Sequence, residues 1–235
     1  MKKITFLILF FIFSFPLFSK SWDSVKKNTL ITMQSINGWC SPEKAVLMMD
    51  LIKTKQLKRC LEIGVFGGKS LFPIAKALKY NKKGVVYAVD SWDSSLALQG
   101  MNLNSPEYGW WALIDFNDLH EQTLNLLARH KLKGYCKILK KPAEEVLQLF
   151  KEASFDFIHL DASHMEDIAF GHVTTYFEKL KTGGYFLLTD PNWHSMKLSL
   201  VFLLERAEIL SPFTPTADFL LFQKSKERQE NAKKL

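Results

Sequence analysis

An apolar, β-prone run, Cys60 to Ile63, enters a turn holding Gly64, Gly67 and Gly68, and a helical pattern from Ser70 to Lys79 leaves it. A strand that feeds a helix through glycines brings backbone N–H groups close to any ligand at the helix N-terminus. The glycines supply backbone angles that a Cβ would forbid. Glu62 stands two residues before Gly64, as the strand ends. Further on, Val85 to Val89 reads as a buried parallel strand ending in Asp90, 26 residues after Gly64. An acid some 20 residues beyond such a turn commonly holds ribose hydroxyls. Turn, spacing and acid together point to an adenosine-containing cofactor.

The pattern around this motif alternates strand and helix. Ser41-Pro42 opens a helix, with a serine cap and proline at its first position. Strands are expected near 59–63, 85–89, 135–139, 155–160 and 184–189, and helices near 69–80, 116–130, 142–152, 165–181 and 195–206. Two closing β segments follow near 207–211 and 218–223. The strands have few polar breaks, as expected for a parallel sheet covered on both faces. With 235 residues, 47% hydrophobic and 23% charged, the chain suits one α/β domain, expected over residues 22–223. The net charge of +7 is spread out, without an Arg/Lys stripe interleaved with aromatics, which argues against a nucleic-acid partner.

The two ends read differently. Met1-Lys2-Lys3 precedes an apolar run from Ile4 to Phe18, and Ser19 and Ser21 place small residues just before Trp22. Residues 1–21 therefore match an export signal. The run's fifteen residues fall short of the roughly 20 that a membrane span needs, so a stable span is not expected unless the segment stays attached as an anchor. The tail, residues 224–235, is charged and expected to be solvated. Cys40, Cys60 and Cys136 are too few for a disulfide framework.

The chemistry collects at the ends of the fourth and fifth strands. Phe155 to Leu160 runs into Asp161-Ala162-Ser163-His164, and Gly183 to Thr189 runs into Asp190-Pro191-Asn192-Trp193-His194. Ligands of open α/β sheets bind beyond the carboxyl ends of strands, so Asp161, His164, Asp190, Asn192 and His194 can converge on one volume. A neutral histidine suits proton removal near neutral pH. His164 is the leading base, its alternative being a brace for the next helix. His159, inside its strand, reads as a hydrogen-bonded core residue. The segment from Ser91 to Asp115 shows no regular pattern but carries Trp92, Tyr108, Trp110 and Trp111. These form either a cover over the ligand or a plug on the core.

The segments 61–70, 155–164 and 183–190 together resemble the class I S-adenosylmethionine (SAM) methyltransferases, in particular bacterial sugar and catechol-type O-methyltransferase relatives, over roughly residues 38–195. The resemblance implies an α/β, doubly wound, seven-stranded Rossmann-like sheet whose last strand is antiparallel. It implies methyl transfer to an oxygen of a small molecule or sugar, with Asp161 and His164 catalytic. Glu62, Gly64, Gly68, Ser70, Asp90 and Asp161 would bind SAM, and Ala143 and Glu144 would flank its adenine. Asp161 and Asp190 match two acids that hold Mg²⁺ in catechol-type enzymes. Pro191 departs from that pattern where an asparagine is expected, and Asn192 would substitute from one position later. Two other classes share parts of this signature. A nicotinamide-dependent dehydrogenase would show a Tyr-x-x-x-Lys pair, but Tyr176 is followed by lysines at 179 and 181. A non-catalytic exported binding module on the same fold is the other.

Overall fold

A computed structural model describes residues 21–163, 165–212 and 214–228. The expected export segment, apart from Ser21, therefore lies outside the described residues, as do His164 and the last seven residues. Helices α1 (Trp22–Met33) and α2 (Pro42–Thr54) precede strand β1 (Arg59–Ile63). Then come α3 (Leu71–Tyr80), β2 (Val85–Asp90), α4 (Ser94–Ala97), α5 (Pro106–Ala112), α6 (Phe116–Arg129) and β3 (Cys136–Lys140). The chain continues through α7 (Ala143–Val146), β4 (Phe155–Leu160), α8 (Glu166–Lys179), β5 (Leu180–Thr189), α9 (Lys197–Arg206), β6 (Ala207–Ile209) and β7 (Phe219–Lys224).

The strands form one seven-stranded sheet in the order β3-β2-β1-β4-β5-β7-β6. Strands β1 to β5 pair in parallel, and β7 runs antiparallel to both β5 and β6. This is the doubly wound sheet expected from the sequence. Strand β1 lies between β2 and β4, so the winding reverses beside it and Gly64 stands at the switch point, where such sheets bind ligands. Alternate strand residues explain the nearly unbroken apolar runs. Cys60, Val86 and Phe157 face one core with α1, α2, α3 and α6, whereas Leu61, Val89 and Ile158 face a second core with α8 and α9.

Helix starts follow their caps. Ser41 Oγ accepts from Lys44 N at 3.1 Å, with Pro42 as the first helical residue, and Asp115 Oδ1 accepts from Asn117 N and Asp118 N at 3.0 Å. Four regions depart from expectation. No helix was expected before Ser41, yet α1 spans Trp22–Met33 behind its Ser21 cap. The helix expected over 142–152 is only one α turn and a 3-10 turn, Leu147–Leu149. Phe150 leaves it in extended backbone, and its ring packs edge-on against Tyr87 and Phe155. Strand β5 begins at Leu180, four residues early, because the register with β4 shifts between Phe155 and Phe157. The segment after Asp90 is not irregular throughout: Asp93 and Ser105 cap α4 and α5. Among the described residues no helix is long and apolar enough to cross a membrane.

Candidate active site

The glycine turn is held from two sides. Asp90 Oδ2 accepts from Val65 N at 2.8 Å and Phe66 N at 2.9 Å, while its Oδ1 accepts from Trp92 N at 2.8 Å. Gly64 has φ +84°, and a Cβ there would lie 1.8 Å from the Asp161 carbonyl oxygen. The glycine therefore lets the end of β1 press against the end of β4, where Asp161 N donates to Ile63 O at 2.9 Å. Three non-glycine residues around this point are also left-handed: Phe66 (φ 52°), Trp92 (φ 43°) and Asp190 (φ 51°). Backbone held in such regions costs on the order of 1–3 kcal/mol per residue and concentrates at functional sites.

Above the turn opens a cleft of about 1350 Å³. Single small-molecule pockets are typically about 300–1,000 Å³, so this one has room for two ligands. Gly64, Asp90, Ala143, Glu144, Asp161 and Asp190 line it. Glu62, Gly68 and Ser70 do not: they lie behind the wall, where Glu62 is fully buried and Ser70 donates to its Oε1. Asn192 is turned away, its Nδ2 donating to the carbonyls of Thr214 at 3.3 Å and Ala217 at 2.9 Å. His172 reaches the cleft wall from α8, with Nε2 2.7 Å from Glu144 Oε1.

A buried polar chain runs beneath the cleft floor. Lys44 Nζ lies 3.3 Å from Asp161 Oδ2 and 3.2 Å from Thr189 Oγ1. Thr189 Oγ1 lies 3.2 Å from His159 Nε2, and His159 Nδ1 lies 3.2 Å from Glu62 Oε1. Burial, reinforced by the Lys44 charge, pulls His159 down to about 3, so its ring is neutral at neutral pH. Protons along the chain are then ordered. An ammonium only donates, so Thr189 Oγ1 accepts from Lys44 and turns its O–H to Nε2, leaving the ring N–H on Nδ1 to meet Glu62. Burial pushes Glu62 up to about 8 against the Ser70 hydrogen bond, with Asp161 adding to the rise. Its Oε2 finds no partner among the described residues. For Lys44, burial works against the charge, but Asp161 and its other neighbours outweigh it, and the ammonium pKa stands raised.

Lys44 and Thr189 were not among the sequence candidates. A signal existed for the lysine: Lys44, Met48 and Ile52 share one buried face of α2, so a cation occupies a core position. The expected Mg²⁺ site is corrected by the same contact. Lys44 already engages the Asp161 carboxylate, Asn192 is tied to the loop before β7, and among the described residues no three His, Cys, Asp or Glu side chains converge as metal ligands. The described residues do not fit a divalent cation.

A family model described as a methyltransferase domain matches residues 61–190, more than half of the chain. The chain belongs to the class I methyltransferase family. Family membership sets aside the nicotinamide-dependent alternative. No curated protein matches this methyltransferase by sequence. Its fold is shared with solved structures of low identity. The SAH-bound methyltransferase PaMTH1 of Podospora anserina superposes with TM-score 0.60 at 16% identity, covering 86% of this chain and 88% of the other. The O-methyltransferase TomG of Streptomyces achromogenes, solved with SAM, gives 0.58 at 18%, covering 89% and 92%. An O-methyltransferase of Bacillus cereus, solved with SAH, gives 0.58 at 16%, covering 87% and 93%.

Proposed function

We propose that this methyltransferase transfers the methyl group of SAM to a hydroxyl oxygen of a small molecule or sugar. The observation that carries the reading is the cleft of about 1350 Å³ at the carboxyl ends of β1, β2, β4 and β5, with Asp90 on its wall. SAM and SAH in the solved relatives support the cofactor, and the O-methyltransferases among them support the acceptor atom. On this reading Asp90 receives the ribose, Ala143 and Glu144 flank the adenine, and Gly64 and Asp161 border the reacting end. Glu62, Gly68 and Ser70 brace that surface from behind.

The reaction is an in-line displacement. A C–O bond forms as the C–S bond breaks, the electron pair leaves with sulfur as SAH, and the acceptor proton passes to a base. Alignment of oxygen, methyl carbon and sulfur supplies most of the rate. His164, three residues after Asp161, is assigned as the base, worth about 10²–10⁴-fold. Residues 1–21 would direct the domain of residues 22–223 out of the cytoplasm, to a compartment where SAM is delivered. Incubation with methyl-labelled SAM and a panel of phenols, sugars and aliphatic alcohols tests the reading. Label in a base-stable ether is the expected result; label only in carboxylate esters or amines would contradict oxygen transfer to a hydroxyl.

A further inference from the structure

Lys44 is a charged side chain with only 2% of its surface exposed, and the reaction as written gives it no task. Lysines are almost never buried so fully unless paired, so its partners define its purpose. The ammonium bridges the ends of β4 and β5 through Asp161 Oδ2 and Thr189 Oγ1, and it borders the cleft. One of its two partners, Asp161, is an acid that the resemblance assigns to a divalent ion, and the other, Thr189, directly precedes the second such acid, Asp190. The ion's third expected ligand, Asn192, spends its amide on two loop carbonyls instead.

We infer that Lys44 is the resident cation of this site, a positioning residue that holds the Asp161 carboxylate in place of a metal ion, and that methyl transfer here is metal-independent. The inference rests on the methyltransferase reading and sharpens its substrate class. A bound divalent ion selects acceptors that chelate it through two adjacent oxygens. A lysine directed at a carboxylate makes no such demand, so the acceptor needs no second oxygen beside its reacting hydroxyl. Charge neutralisation at the end of β4 is then built into the chain and does not depend on metal supply.

The test titrates Mn²⁺ into the full chain saturated with SAH and follows the free ion by electron paramagnetic resonance. Wild type should show no saturable Mn²⁺ site. Lys44→Met removes the counter-charge but adds no ligand, so it should stay free of Mn²⁺ while its methyl transfer to the acceptor found among the hydroxyl compounds falls, and Lys44→Arg should restore the rate. A saturable site in wild type that vanishes in Asp161→Asn would overturn the inference. So would a folded, SAH-binding Lys44→Met protein that transfers methyl at the wild-type rate. Should Lys44→Met not fold, the wild-type titration and its Asp161→Asn control decide alone. Failure of wild type to bind SAH at all would sink the methyltransferase reading instead, a separate outcome.

Discussion

At the scale of single residues, the glycine turn depends on one contact, the carbonyl of Asp161 standing where a Gly64 side chain would begin. A Cβ at 1.8 Å from that oxygen, on a backbone at φ +84°, cannot be relieved by a side-chain shift. Gly171 is the internal control: it sits inside α8 with no atom within 4 Å of its would-be Cβ. Gly64→Ala should therefore lose several kcal/mol of stability or fail to fold, whereas Gly171→Ala should gain about 0.4–1 kcal/mol. Urea titrations of the two variants check both signs. The buried Glu62–His159 pair makes a second prediction. His159, held at about 3 from an ordinary 6.5, contributes stability above pH 6.5 that is lost as pH falls toward 3. Glu62, raised from 4.5 to about 8, contributes stability at acid pH that is lost as pH rises through that interval. Melting temperature against pH should flatten on the acid side in His159→Gln and on the alkaline side in Glu62→Gln.

At the scale of elements, the strands were readable because both faces of the sheet are covered and their residues had to be apolar. The elements that eluded the sequence are set by long-range contacts. Helix α7 stops after one turn because Phe150 belongs to the core beside Tyr87 and Phe155. Lys44 and Thr189, 145 residues apart in sequence, meet only because the first turn of α2 brings the lysine side chain to the ends of β4 and β5. The tryptophans after Asp90 divide between the two roles considered: Trp92 is buried in the core, whereas Trp110 and Trp111 line the cleft. Trp39, Phe66, Trp110 and Trp111 contact one another with all centroid separations between 5.2 and 6.3 Å, tying α5 and the segment before α2 to the glycine turn. All four line the cleft, and Trp39 and Trp110 remain 61% and 47% exposed. Aromatic pairs are worth about 0.5–1.5 kcal/mol beyond burial. Trp110→Ala should loosen this latch locally: amide exchange across residues 94–112 speeds up while exchange in β1 and β4 is unchanged. Equal acceleration in the central strands would show that Trp110 supports the whole domain.

At the scale of the whole molecule, parallel strands, the reversal of winding beside β1 and the acids at the strand ends make one cleft out of distant pieces of chain. The turn and its two acids were legible, yet only Asp90 reaches the cleft; Glu62 works from inside the wall, because a strand's side chains alternate between faces and its last inward residue is buried. The central claim is that this cleft holds SAM. Isothermal titration calorimetry of the full chain with SAM tests it most directly, with SAH and NAD as competitors. One saturable site per chain, displaced by SAH and indifferent to NAD, is the result predicted here. A folded protein that gives no saturable heat with either SAM or SAH would contradict it.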